Sequence, residues 1–194
     1  VTYIVSPHPD DETLRLSGYV TWIRANDPHR LVLVAVGDGG GSKRARRMGW
    51  PPDYEKEYRR AEQAAAWSAL TGGQGSILRL GMPDGNYAAK EVRDSLAPLV
   101  KPDAHFVLAA HPDDYHSDHL ACVEGLRRLS AGGKMFARSP LSPGRHDDVR
   151  FDPPSQYLPS AEVAAEFYRG FGHISVPPEF KALKASHYSS RVTV

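Results

Sequence analysis

The tetrapeptide His-Pro-Asp-Asp occurs twice in this chain, at residues 8–11 and 111–114, and each copy follows a short apolar run that reads as a strand. Tyr3-Ile4-Val5 leads into His8-Pro9-Asp10-Asp11-Glu12. Phe106-Val107-Leu108-Ala109-Ala110 leads into His111-Pro112-Asp113-Asp114-Tyr115-His116-Ser117-Asp118-His119. Histidines and carboxylates delivered to the end of a strand are the layout of a metal site, so two strand ends converge on one chemistry. The repeated tetrapeptide reflects shared site chemistry and is not the period of a structural repeat.

Between and around the two clusters, short β-branched runs at 2–6, 31–36, 76–80 and 104–110 alternate with segments of helical character at 12–26, 55–70, 88–100 and 118–130. That alternation predicts an α/β fold with a mostly parallel sheet. Gly72-Gly73 stops the second helix, and Pro102-Asp103 starts the fourth strand. Past Gly132-Gly133 the sequence turns Pro-rich, which predicts irregular covering structure with helices near 160–169 and 178–187. The expected organisation is one domain over 1–194, with a core of about 1–131 covered by 132–194. In the commonest doubly wound order the ligand crevice lies between the first and fourth strands, the two that carry the clusters here. The strand order itself is not derivable from the sequence.

Twenty-four Lys plus Arg against 23 Asp plus Glu leave a net charge of +1, which removes any global electrostatic argument for nucleic acid or an anionic membrane as partner. Cys122 is the lone cysteine, so neither an internal disulfide nor a Cys-based zinc knuckle is available, and a cytosolic redox environment fits. With no apolar stretch near the ~18 residues that span a bilayer and no signal-type N-terminal core, a soluble cytoplasmic protein is expected. The basic run Gly39-Gly40-Gly41-Ser42-Lys43-Arg44-Ala45-Arg46-Arg47 reads either as a solvated loop, the commoner outcome, or as a mobile flap for an anionic ligand. Gly37-Asp38-Gly39 lacks dinucleotide-binding spacing.

A catalytic zinc commonly takes three nitrogen or oxygen ligands and leaves a fourth position for water. His8, Asp11 and His119 supply that number. Asp10 is left beside the ion as a general base for a water whose pKa the metal lowers, and later as an acid toward an amine leaving group. His116, one turn before His119, faces the same cavity if the fourth helix begins at Ser117 or Asp118, and as a cation it would stabilise an oxyanion. A His/Asp/His set also accepts ferrous iron, cobalt or nickel. His29, His105, His146 and His173 are isolated and read as surface or locally bonded residues.

Ser6-Pro7-His8-Pro9-Asp10-Asp11-Glu12 together with His116-Ser117-Asp118-His119 resembles the PIG-L/LmbE-like family, the N-acetylglucosaminyl-phosphatidylinositol de-N-acetylase superfamily. The resemblance implies a Rossmann-like three-layer α/β sandwich and a zinc hydrolase, one Zn2+ per chain, that removes an N-acetyl or other N-acyl group from an amino sugar or glycoconjugate. It assigns His8, Asp11 and His119 as zinc ligands, Asp10 as general base and His116 as electrostatic stabiliser. Arg59, in Arg59-Arg60-Ala61-Glu62, becomes a sugar-hydroxyl contact or a plain surface ion pair. Asp84, in Gly81-Met82-Pro83-Asp84-Gly85, becomes a substrate contact or part of a simple turn. His111 is a third candidate substrate contact, and Lys181 through His187 resembles the family's closing helix, with Ser190 where Gln is usual. Leu16-Ser17-Gly18 and the basic insertion around 42–53 depart from the family pattern. The short C-terminal part implies an open site or one completed by another subunit of a homo-oligomer.

Two other classes stay in play. A binuclear metallo-β-lactamase-type hydrolase fits Asp114-x-His116-x-Asp118-His119 but needs two mixed sheets and leaves residues 8–12 unexplained. A catalytically silent metal- or glycan-binding homologue gains nothing from a free carboxylate at Asp10.

Overall fold

The structure, a computed structural model, describes residues 1–26, 30–130, 133–171 and 176–193. In chain order its elements are β1 (Thr2–Ser6), α1 (Asp11–Asn26), β2 (Leu31–Gly37), α2 (Lys43–Arg47), α3 (Pro52–Thr71), β3 (Ser76–Met82), α4 (Ala89–Leu96), β4 (His105–Leu108), α5 (Ser117–Arg127), β5 (Gly133–Ala137), β6 (Val149–Phe151), α6 (Leu158–Phe167), α7 (Pro177–Ala185) and β7 (Ser190–Thr193). The strands form one sheet in the order β3-β2-β1-β4-β5-β7-β6. Its first five strands are parallel, and β7 runs antiparallel to both β5 and β6.

Every residue of β1 and β2 is buried, as expected of interior parallel strands covered on both faces. Strand alternation splits their side chains between two apolar cores. Ile4, Leu33 and Val107, on three adjacent strands, pack with Leu14, Leu16, Tyr19 and Ile23 of α1, Trp67 and Leu70 of α3, and Ala161, Ala164 and Ala165 of α6. Tyr3, Val5, Val34, Phe106 and Leu108 pack on the other face with Val92 and Leu96 of α4 and Cys122, Val123 and Leu126 of α5. The result is the expected three-layer α/β sandwich. β1 pairs on one side with β2 and on the other with β4, so Ile4 lies opposite both Leu33 and Val107. The crevice at this reversal of strand order is where ligands bind in open α/β sheets.

The helices follow their sequence signals at most ends. α3 starts with Pro52 in its first turn and stops at Gly72, whose φ of 65° is the left-handed conformation a glycine accepts without cost. α4 is shorter than the expected 88–100, because Pro98 tightens the chain into a 3-10 turn at Ala97–Leu99. The region expected to be irregular contributes β5, β6 and β7. These strands are three to five residues long and interrupted by Gly133, Lys134 and Arg150, too short for a period of two to stand out. α2 likewise replaces the expected loop. A single sheet between helix layers removes the metallo-β-lactamase-type reading, which requires two mixed sheets. No described helix is long and apolar enough to cross a membrane. His29 and His173 lie outside the described residues.

Gly18 marks where α1 is pressed onto the C-terminal strands. A Cβ there would run into the carbonyl oxygen of Phe151 and would come within 2.9 Å of the Ser190 nitrogen and the Tyr188 oxygen, all of them backbone atoms that cannot swing aside. Gly18→Ala should therefore lower stability by about 1–3 kcal/mol through overpacking. Gly144→Ala, whose nearest neighbour at 3.4 Å is the Arg191 side chain, should stay within about 0.5 kcal/mol of wild type. Urea unfolding midpoints of the two variants check this.

Candidate active site

Both His-Pro-Asp-Asp segments fold into the same turn. His8 N–H donates to Asp11 Oδ2 at 3.0 Å, and Asp11 N–H to His8 O at 3.3 Å. His111 N–H donates to Asp114 Oδ2 at 3.0 Å, and Asp114 N–H to His111 O at 2.9 Å. The aspartate at the fourth position thus folds the turn onto itself at the ends of neighbouring strands β1 and β4.

The side chains of the first turn meet α5. His8 Nδ1 lies 3.2 Å from His119 Nε2, His119 Nε2 lies 3.1 Å from Asp11 Oδ2, and His8 Nδ1 lies 3.5 Å from Asp11 Oδ2. Three donor atoms bound at ~2.0–2.2 Å to one tetrahedral ion stand roughly 3.3–3.6 Å apart, so this triangle has the size of one face of such a site. His8, His116 and His119 also bring donor atoms within 4.8 Å of one another. The tighter set is the one containing Asp11.

Each histidine of the triangle is held by a carboxylate on its other ring nitrogen. His8 Nε2 lies 3.0 Å from Asp118 Oδ2, and His119 Nδ1 lies 3.0 Å from Asp114 Oδ2. Such outer carboxylates fix the tautomer and ring plane of a metal-binding histidine. Asp118 is itself fixed by the backbone N–H groups of Gly85 at 2.6 Å and Tyr87 at 3.3 Å. Asp114 takes two contacts from Arg15 Nη1, at 3.0 and 3.2 Å, and Arg15 Nε lies 3.4 Å from Asp11 Oδ1. Sequence reasoning missed Asp114, Asp118 and Arg15 in these roles. The signal for Arg15 was its place four residues after Asp11, one turn along the same helix.

Burial by itself would push the His8 imidazole down, but the hydrogen-bonded carboxylates of Asp11 and Asp118 outweigh it and push it up to about 10. Burial pushes Asp11 upward, and His119, His8 and Arg15 together hold it well below the usual carboxylate range. The cluster therefore favours positive charge in its midst.

Asp10 has a φ of 122°, unusual for a residue with a side chain and a strain of about 1–3 kcal/mol. Its carbonyl accepts the N–H groups of Thr13 and Leu14 at 3.0 and 2.9 Å, which starts α1. Its carboxylate meets Arg59 Nη2 at 3.3 Å, and the same nitrogen donates to Pro9 O at 2.7 Å. Burial pushes the Asp10 carboxyl well up, against the pull of Arg59. Arg59 is thus a buried partner of Asp10, not a surface ion pair. Next door Glu12, fully buried, accepts from Ser6 Oγ, Thr13 Oγ1 and Gln63 Nε2 at 3.0, 3.0 and 3.2 Å and from Tyr168 OH at 2.5 Å.

These groups open into a cavity of about 820 Å3 whose wall includes His8, Asp10, Asp11, Arg59, Asp84, His116 and His119. Asp84 accepts Tyr87 OH at 2.9 Å and the N–H groups of Gly39 and Gly41 at 3.3 and 3.4 Å, so it also ties down the loop before α2. His116 caps α5: its Nδ1 accepts the Asp118 N–H at 3.3 Å. A nitrogen that accepts does not carry the proton, so this contact favours a neutral ring with its N–H on Nε2 over the expected cation. Burial and the neighbouring His8 and His119 push its pKa down in the same direction. His111 is not on the cavity wall. Its Nε2 lies 2.9 Å from Thr193 Oγ1 and its Nδ1 accepts the Asp113 N–H at 3.1 Å, which ties β7 to the second turn. Lys181 and His187 are exposed and are likewise absent from the wall, where Val176, Pro177 and Glu179 represent that region. His105 and His146 are exposed, as their isolation predicts.

The family model PIG-L, described as GlcNAc-PI de-N-acetylase, matches residues 3–130. No curated protein matches the sequence. Among solved structures, a deacetylase triple mutant of the teicoplanin biosynthetic pathway aligns over 98% of this chain and 95% of its own at 17% identity, with a TM-score of 0.73. GalB, the 4-carboxy-2-hydroxymuconate hydratase of Pseudomonas putida, aligns over 95% and 83% at 17% identity, TM-score 0.69. N,N'-diacetylchitobiose deacetylase of Pyrococcus horikoshii, complexed with an inhibitor, aligns over 96% and 77% at 17% identity, TM-score 0.62. At these identities the likeness is one of fold.

Two outcomes follow from the triangle and its outer carboxylates. Asp114→Asn should weaken divalent-metal affinity by about 10–100-fold, read by competition with a chromophoric chelator. Stripping the protein with a chelator should lower its melting temperature by about 5–10 °C relative to protein held at roughly a hundredfold excess over Kd, since an ion that binds only the folded state adds about 2.7 kcal/mol there.

Proposed function

The chain belongs to the PIG-L family of GlcNAc-PI de-N-acetylases, and from that premise we propose that it is a zinc-dependent hydrolase removing an N-acetyl or related N-acyl group from an amino sugar, glycoconjugate or related secondary metabolite. The observation that carries this reading is the triangle of His8 Nδ1, Asp11 Oδ2 and His119 Nε2 beside the carboxylate of Asp10, which pairs with Arg59, all on one cavity wall. His8, Asp11 and His119 would hold the ion. When bound, zinc supplies Lewis acidity, which polarises an acyl carbonyl and lowers the pKa of a water to ~7.

The chain's own residues do the rest. Asp10 takes the proton of the attacking water and returns it to the departing amine nitrogen. Its raised proton affinity suits both tasks better than that of an exposed aspartate. Arg59 fixes the carboxylate so that it need not reorganise. Neutral His116 donates its Nε2–H to the acyl oxygen as negative charge gathers there. Asp114 and Asp118 hold the two histidine rings, and Asp84 stands on the wall as a substrate contact. Deacetylases and a hydratase share this fold, and both chemistries activate water, so the products distinguish them. Amide hydrolysis releases a free amine and a carboxylate.

Elemental analysis and an amine-release assay on a panel of N-acetylated amino sugars test the reading together. About one zinc per chain is expected, lost in His119→Ala. Asp10→Asn should keep the metal and lose about 10²–10⁴-fold in kcat. His116→Ala should keep the metal and lose about 10²–10³-fold. Near-wild-type turnover by Asp10→Asn would overturn the mechanism. Metal without amine release from any panel member would favour a silent binding homologue.

A further inference from the structure

The cavity has a second, oppositely charged wall. Lys43, Arg44 and Arg47 of α2 line it, and among the described residues none of the three has an acidic partner. Arg47 lies four residues after Lys43 and three after Arg44, so it neighbours both on the helix surface, while Ala45 on the opposite side is fully buried. Three like charges on one short helix face repel one another, and an anion between them relieves that cost.

The three cationic side chains are exposed, but the backbone that carries them is fixed. Ser42 caps α2 by accepting the N–H groups of Arg44 and Ala45 at 3.1 and 3.3 Å, and its own N–H donates to Glu55 Oε1 at 3.2 Å. Gly41 lies so close to Asp84 that a Cβ there would meet its side chain and come within 3.1 Å of its carbonyl oxygen. The cations therefore stand on the same framework, through Asp84, as Arg59 and the Asp10 side of the cavity.

We propose that the substrate bears an anionic group, a phosphate or a carboxylate, which Lys43, Arg44 and Arg47 hold while its N-acyl end lies at Asp10. This assignment of substrate class rests on the deacylation reading above. Guanidinium forks pair with either oxyanion through two parallel N–H bonds, whereas a neutral glycan offers them only hydroxyls.

Calorimetric titration of the metal-loaded protein with N-acetylglucosamine 6-phosphate, N-acetylmuramic acid and neutral N-acetylglucosamine tests it. At least one anionic sugar should bind tenfold or more tightly than the neutral one, with the phosphate and carboxylate arms showing which oxyanion is preferred. That advantage should shrink in 0.5 M salt and disappear in the triple variant Lys43→Ala/Arg44→Ala/Arg47→Ala. The single variant Arg47→Ala should lose part of it, which guards against misfolding of the triple variant. Binding that differs less than threefold between charged and neutral sugars, binding undetectable for all three, or an advantage that survives in the triple variant would overturn the proposal. Amine release measured alongside separates the two readings. Release without charge preference removes the anionic subsite alone, whereas charge-selective binding without release removes deacylation and leaves the subsite standing.

Discussion

Carboxyl groups buried at the carboxyl ends of β1 and β4 organise everything around them. Asp10, Asp11, Glu12 and Asp118 are all nearly inaccessible to solvent. An ionised carboxylate taken out of water without partners is prohibitively unfavourable, so each must be met by donors or cations. Those partners come from every neighbouring layer: Arg15 from α1, Arg59 and Gln63 from α3, His119 from α5, backbone N–H groups from the loop after β3, and Tyr168 from beyond α6. The helices are thus fastened to the sheet twice, by apolar packing along its faces and by charge at its end.

One turn serves two purposes in this arrangement. In both copies the fourth-position aspartate uses one oxygen to close the turn on its own histidine N–H. In the first copy that oxygen, Asp11 Oδ2, joins the donor triangle. In the second the corresponding oxygen, Asp114 Oδ2, faces the Nδ1 side of His119 and so orients a ring whose other nitrogen belongs to the triangle. The histidines part company in the same way, His8 toward the cavity and His111 toward Thr193. The first turn meets α5 through His8 and His119, whereas the second meets β7 through His111 and Thr193.

Where the sequence carried long periodic runs, it was legible. The first four strands, α1, α3 and α5 lie within a few residues of where apolar patterning and Gly or Pro punctuation place them. The α/β class with a mostly parallel sheet follows from those elements alone, and the three-layer arrangement from the family resemblance. β5, β6 and β7 were not legible, since strands of three to five residues at a sheet margin carry too few side chains to show alternation. At the site, the residue types around His8 and His119 pointed to the chemistry, but the donors around Glu12 did not, because they come from segments far apart in sequence. The charge state of His116 was illegible for a related reason. It depends on one backbone N–H, that of Asp118, and composition holds no trace of where a ring nitrogen meets it.

His8 and His119 stand 111 positions apart, yet their ring nitrogens lie 3.2 Å from each other. Nothing local assembles that pair. β1 must await the synthesis and pairing of β4 before α5 can swing its histidine over, and closing so long a loop carries an entropic cost that no single ligand contact offsets. A nascent chain that ends before α5 holds His8 and Asp11 but no triangle. An ion held by the proposed triangle would therefore register completion, stabilising the finished sheet more than the intermediates that lead to it.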